Sequence, residues 1–208
     1  MDDPRWVATL LEHWEVGQQM GAVGPGSVRR QFDHATALAA QVAPPRRAVD
    51  LGSGAGVPGL ALAGHWSDSS WVLIDASARR VRLLSQAIRA LNWGDRVRAL
   101  HARAEDAARH PDLRGSADLV VSRSFGPPAV TAECGVGFLS SEGLLVVTEP
   151  PDEGADRWPA DGLALLGLEV VAGPDAEPVR IQRLRRIGSI ADELPRRAGI
   201  PARKPKFA

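Results

Sequence analysis

The 208-residue chain has a single cysteine, no tyrosine, no surplus of charge of either sign and no long apolar run. One thiol, Cys134, excludes an internal disulfide framework and suits a reducing compartment. No stretch approaches the roughly 18 apolar residues that a membrane span requires. The N-terminal MDDPRW also lacks a basic region followed by an apolar one. Zero net charge argues against a general nucleic-acid coat. Hydrophobic residues make up 44% and charged residues 24%, an ordinary globular balance. A chain of this length buries about 70% of its unfolded surface and needs no covalent staples. The expectation is a cytoplasmic globular protein, monomeric by default.

The neutral total hides an uneven distribution. Residues 142–177 carry nine acidic side chains against Arg157 alone, whereas 179–206 carry nine basic ones against Asp192 and Glu193. A second basic stretch runs from Arg79 to Arg114. Such asymmetry fits a polyanion-binding face, although a charge run is more often a solvated surface.

Neither repeats nor low-complexity tracts occur. Trp6, Leu10, Leu11 and Trp14 fall on one stripe of an amphipathic helix over 4–20. GAVGPGS (21–27) breaks it, and Ser27 is placed to cap a second helix running to about Val42. Then the period changes. Short apolar runs (AVDL, WVLID, VRAL, DLVVS, LLVVT) alternate with helical segments starting near 57, 78 and 128, the pattern of a parallel, doubly wound α/β sheet. LEVVAG and VRIQRLRRI supply two later strands, expected as an antiparallel pair at one edge. The tail after Ser189 is expected to be irregular. Three parts follow: a helical cap (1–43), a Rossmann-like domain (44–190) and a basic tail (191–208).

The stretch VDLGSGAGVPGLALA (49–63) brings a backbone close to a ligand. GAGVPG matches the dinucleotide fingerprint, but a lone match is weak, and no Gly-Lys-Ser/Thr follows to make a Walker loop. The pattern is better written Asp50-x-Gly52-x-Gly54-x-Gly56. A carboxylate at Asp50 suits a cofactor bearing an ammonium and a sulfonium and repels a pyrophosphate. Asp75 closes the next strand, where a carboxylate accepts ribose hydroxyls. Together they point to S-adenosylmethionine. In class I methyltransferases the loop after the third strand meets the adenine, which makes Ala104 and Glu105 candidates; Glu105 serves equally well as a helix cap.

At the acceptor end, ADLVVSRSFGPP (117–128) lacks the Asn/Asp-Pro-Pro-aromatic signature of exocyclic amine methylation. Cys134 reads as a buried small hydrophobe, not the thiolate nucleophile that pyrimidine C5 methylation needs. What remains is Ser122, Arg123 and Phe125. A fixed arginine can hold a guanine edge, a phosphate or the cofactor, and Phe125 can stack on a base. The alternative is an Arg–Asp structural pair with a core Phe. The five histidines are scattered without metal-ligand spacing, so no metal is expected.

The order and spacing of VDLGSGAGVPGLALA, LIDASARRVRLLSQAIRAL, HARAED, DLVVSRSF and LPRRAGIPARKP resemble the RsmG family, also called glucose-inhibited division protein B. These are bacterial 16S rRNA guanine-N7 methyltransferases. The resemblance covers roughly residues 45–130 and 185–206. It implies cofactor contacts at Gly52 and Val57, adenine-side contacts at Ala104 and Glu105, and Arg123 beside cofactor and substrate. It also implies the small ribosomal subunit or its 16S rRNA as partner; the clustered basic residues of the tail, Arg196, Arg197, Arg203 and Lys204 among them, are expected on the RNA. Three features depart from the family pattern: a shorter N-terminal region, no Asn-Leu-Thr segment, and TEPPDEGADRW where Lys-Gly usually follows the fifth strand. All lie on the acceptor side. Two other readings stay open, a class I methyltransferase for another RNA or a small molecule, and a non-catalytic RNA-binding module.

Overall fold

The computed structural model describes residues 5–150, 157–173 and 179–207. Much of the acidic segment, including Asp152, Glu153, Asp156, Asp175 and Glu177, lies outside them. Two helices come first, α1 (Arg5–Gln19) and α2 (Val28–Ala39), then β1 (Arg47–Leu51), α3 (Gly59–His65), β2 (Ser70–Asp75), α4 (Ala78–Ala90) and β3 (Val97–His101). The second half holds α5 (Ala104–Ala107), β4 (Ala117–Ser122), α6 (Pro128–Val136), β5 (Leu139–Thr148), α7 (Ala160–Ala164), β6 (Leu168–Val170), β7 (Ile181–Arg186) and α8 (Ile200–Arg203).

The strands form one sheet in the order β3-β2-β1-β4-β5-β7-β6. The first five are parallel, and β7 runs antiparallel to both β5 and β6, as expected for the edge pair. Chain order reverses between β1 and β4, so a crevice opens at their carboxyl ends, where open α/β sheets bind ligands.

Alternation along the strands divides the core into two layers. Ala48, Trp71, Leu73, Leu119 and Val121 face the layer containing α1 to α4; Val49, Leu51, Ile74, Val120 and Leu145 face α5 to α7. Both faces are covered, which is why the strands read as continuous apolar runs. Cys134 is fully buried in α6, as expected of a small hydrophobe, and burial pushes its thiol pKa up.

The cap is part of the first layer. Val7, Leu10 and Trp14 recur at helical spacing and are all buried. Gly17 completes that face: a Cβ there would sit 2.8 Å from Ala55 Cβ, so α1 lies directly on the glycine loop. Ser27 has the extended backbone of an N-cap, but its side chain makes no capping bond, and α2 stops at Ala39, short of Val42. Ser77 does cap α4, accepting from the Arg80 amide at 3.4 Å.

The tail runs without helix or strand from Ser189 to Gly199, as expected, but it is packed: Leu194 is 2% exposed, Pro201 is buried, and α8 lies against α6. Arg109 donates to the Glu193 carbonyl and Arg114 to the Ala191 and Leu194 carbonyls.

Candidate active site

Asp50 sits near the end of β1 with its side chain 1% exposed. Its Oδ2 accepts from the Gly59 amide at 3.1 Å, tying the strand to the start of α3. Its Oδ1 is buried and has no hydrogen-bond partner among the described residues. Burial pushes the carboxyl up to about 7, partly offset by its hydrogen bonds. An orphaned buried carboxylate oxygen, directly behind the glycine loop, calls for an explanation.

The loop from Gly52 to Val57 is gripped from the cap side. The Ala55 amide donates to the Ala22 carbonyl at 3.3 Å, and Trp14 Nε1 donates to the Ala55 carbonyl at 3.0 Å. Gly54 has φ +58°, and a Cβ on it would lie 2.8 Å from the Ala22 oxygen. Gly54 is therefore required both by its left-handed backbone and by the cap it touches. Gly52, at φ +68°, leaves room for the Phe125 ring, which a Cβ would meet at 2.8 Å. Phe125 thus packs over the glycine loop. Gly56 also has positive φ, and Leu60 fills the space beside it.

Asp75 ends β2 with both carboxylate oxygens engaged. Oδ2 accepts from the Gly54 amide at 3.0 Å and Oδ1 from the Ser77 amide at 2.8 Å, with the Arg80 guanidinium 3.7 Å away. The acid therefore shapes the loop, and each oxygen keeps a lone pair for a further donor.

Two clefts meet at the end of β4. One, of about 240 Å³, is lined by Gly52, Ser53, Gly54 and Val57 of the loop, Gly21 to Gly24 and Gln31 of the cap, and Arg80. The other, of about 300 Å³, is walled by His34, Phe125, Val147, Glu149, Arg157 and Trp158, among others. Arg123 and Ser124 line both. Arg123 is half-buried, and no hydrogen bond or ion pair to its guanidinium occurs among the described residues. The Arg–Asp structural pair considered from sequence is not found there. Burial pulls the Arg123 pKa down, and burial together with the Arg123 charge holds His34 below its ordinary value. Ser124 carries φ +53°, an uncommon conformation for serine and one concentrated at functional sites. Ser122, 1% exposed, has an unpartnered Oγ. A larger groove of about 590 Å³ lies at the amino ends of β1 to β4, around Arg47, Ser70, Val97 and Ala117, on the far side from the loop.

Several predicted site residues lie outside the two clefts: Asp50, Gly56, Asp75 and Ser122 stand behind their walls, and Ala104 and Glu105 line neither. Glu105 is 3% exposed, and its Oε1 accepts from the Gly199 amide at 2.8 Å, with Arg103 at 3.4 Å. It is neither a helix cap nor a cleft residue: it ties α5 to the tail. Arg196 is likewise removed from the RNA-facing set. Its guanidinium forms a two-point ion pair with the fully buried Glu133, at 2.6 and 2.8 Å, and also reaches the Lys204 carbonyl. Arg197, Arg203 and Lys204 do not line the clefts, and Arg203 and Lys204 are exposed.

The sequence reading also missed contributors. GAVGPGS was taken as a helix breaker, yet Gly21 to Gly24 form a wall of the first cleft; three glycines in six residues were the signal. Gln31 and His34 from α2, and Glu149 and Trp158 after β5, left no local pattern.

Comparisons with known proteins agree with this geometry. The family model described as rRNA small subunit methyltransferase G matches residues 27–150. The chain is 31% identical over 167 residues to the ribosomal RNA small subunit methyltransferase G of Desulfitobacterium hafniense, spanning 77% of this chain and 70% of the relative. With that of Synechococcus sp. strain CC9902 it is 28% identical over 218 residues, spanning 99% of this chain and 90% of the relative. The fold is shared with P. horikoshii TYW2, solved in complex with MeSAdo: TM-score 0.58 and 17% identity, covering 80% of this chain and 65% of that one. The chain belongs to the rRNA small subunit methyltransferase G family.

Proposed function

We propose that the protein transfers the methyl group of S-adenosylmethionine to N7 of a guanine in 16S rRNA. The observation that carries this reading is Arg123, a half-buried guanidinium without a protein partner among the described residues, standing where the glycine-loop cleft meets a second cleft. The unpartnered Oδ1 of Asp50 and the cleft lined by Gly52, Ser53, Gly54 and Val57 support the cofactor assignment. Asp50 would receive its ammonium group, and Asp75 its ribose hydroxyls. When bound, S-adenosylmethionine supplies a methyl already activated by the sulfonium.

The residues then have to align. Guanine N7 has a free lone pair at neutral pH, so no side chain must remove a proton before transfer. Arg123 fixes the acceptor or the cofactor, Phe125 packs the loop from the acceptor side, and the cap closes the site over Gly54. Holding two reactants in line supplies much of the acceleration in such a reaction. Arg197, Arg203 and Lys204, exposed on the tail, would contact phosphates of the RNA.

The test is methyl transfer to small ribosomal subunits lacking the modification, with the product nucleotide identified by mass spectrometry. N7-methylguanosine in 16S rRNA is the expected product. Methylation at another atom, or of a small molecule alone, would contradict the proposal, and cofactor binding without transfer to any RNA would leave a binding module.

A further inference from the structure

The second cleft contains an acid where an RNA-binding surface ordinarily has a base. Glu149, one residue beyond β5, lines it together with Phe125, Val147 and Trp158. Its carboxylate is fixed from two sides: Trp158 Nε1 donates to Oε1 at 3.2 Å, and the Arg157 guanidinium donates to Oε2. Trp158 is 7% exposed, so the indole is a rigid wall rather than a surface flap. The Glu149 side chain is itself 13% exposed, and each oxygen retains a second lone pair beyond these two bonds.

A carboxylate in that place turns away phosphate and selects a ligand by its donors. Among the four RNA bases in their neutral forms, guanine alone offers two adjacent donors, N1–H and the N2 amine. Adenine and cytosine place a ring acceptor beside their single amine, and uracil flanks its N3–H with two carbonyls. Paired to a carboxylate, each of those three sets an acceptor lone pair against a carboxylate oxygen. A cavity of about 300 Å³ has room for one purine base. Proteins that read single-stranded RNA commonly stack the base on aromatic rings and bind its Watson–Crick edge, and the half-buried Phe125 supplies such a ring.

We infer that the second cleft is the acceptor-base pocket and that Glu149 is its specificity residue, accepting from guanine N1–H and N2–H. This rests on the proposed methyl transfer to guanine. Orientation follows from the base itself. N7 lies across the purine from N1 and N2, so gripping that edge at Glu149 directs N7 away from it. The second cleft is shared with the first only at Arg123 and Ser124, so the methyl group has to reach N7 from there. There the unpaired Arg123 guanidinium is placed to donate to O6, leaving the adjacent N7 lone pair for the methyl group. One carboxylate thereby sets both the identity and the direction of the base, at the position where the chain departs from its family's Lys-Gly.

The experiment compares guanosine with inosine at the mapped acceptor position of 16S rRNA assembled into small subunits. Inosine keeps N1–H, O6 and N7 and lacks only the N2 amine. Wild-type kcat/KM should fall about 10- to 100-fold on the inosine substrate, the effect of losing a hydrogen bond to a charged group. Glu149→Gln should be slower on guanosine by a similar factor, and its ratio between the two substrates should shrink towards one. Cofactor affinity, measured by calorimetry, should be unchanged. Equal wild-type rates on guanosine and inosine would overturn the inference and leave guanine methylation standing. So would a Glu149→Gln protein that preserves the full ratio. If the variant fails to fold, as judged by its Tm, the wild-type ratio alone decides. Failure of the wild type on guanosine-bearing subunits would sink the underlying reading, and this one with it.

Discussion

At the β1–β2 end of the crevice the polar groups are largely committed to protein. Asp75 holds the amides of Gly54 and Ser77, Asp50 holds Gly59, and the loop carbonyl of Ala55 is taken by Trp14. At the β4–β5 end the Arg123 guanidinium and the Ser122 hydroxyl have no partners among the described residues. On the proposed function, the first region is preorganised for the cofactor, with Asp50 Oδ1 unpartnered among the described residues, and the second is held open for an acceptor that arrives as part of a much larger body. A site of this kind separates two tasks: the cofactor is bound by backbone shape, and the acceptor by a few side chains whose partners come with it.

Gly54→Val should break the first region outright. Its Cβ meets the Ala22 carbonyl, and a β-branched side chain resists the positive φ of that position. Calorimetry should detect no cofactor binding by a protein that still folds through its two core layers. Tight binding by the folded variant would mean that the loop is a turn with no ligand to hold.

Outside both regions, neighbouring arginines of the tail should behave as opposites. Arg196→Ala removes the guanidinium from the buried Glu133, leaving it only the Arg196 backbone amide, and should lower stability by about 3 kcal/mol, measured by denaturant unfolding. Arg197→Ala should barely alter stability but reduce the salt dependence of RNA binding by about one unit of slope, as a phosphate contact does. The same salt behaviour for both variants would erase this distinction.

A smaller effect separates the two strand-end acids. Asp50 titrates at about 7 in the cofactor-free protein, raised from 3.8. A cation beside Oδ1 favours the ionised form, so cofactor binding below about pH 7 should release a proton. Affinity should climb with pH up to about 7 and level off above it, and Asp50→Asn should flatten that rise. Stability of the cofactor-free protein runs the other way. Its folded state holds this proton more tightly than the unfolded chain, so the contribution is full below pH 3.8 and is lost as pH rises through about 7. Calorimetry at pH 6 in buffers of different ionisation enthalpy counts the proton; no release would place the ammonium group elsewhere.

The contrast between the regions also explains what could be read in the sequence. Asp50, the glycines and Asp75 belong to two consecutive strand–turn–helix units, so local spacing encodes the cofactor side. The alternation of strands and helices gave the parallel sheet and its antiparallel edge for the same reason. The second cleft is assembled from residues far apart in the chain: His34, Arg123, Glu149 and Trp158 meet only after the sheet has formed, as do Gly21 to Gly24 and the glycine loop in the first. No periodicity records such a meeting. Arg196 was misread because a basic tail resembles a solvated one. The clue was Glu133, a single acid within the otherwise uncharged PAVTAECGV, which a buried helix can tolerate only with a partner.

Transfer without proton removal is tested most directly by the single-turnover rate at saturating cofactor across pH. The expected profile is flat between about pH 6.5 and 8.5, for acid–base catalysis would bend it. His34, held below its ordinary pKa by burial and by Arg123, should not disturb that window. Arg123→Ala should lower the whole curve without changing its shape, since it misplaces a reactant and removes no proton acceptor. A rate that climbs steeply with pH, and loses that climb when His34 or another single titratable residue is replaced, would contradict the account and point to an acceptor atom that carries a proton.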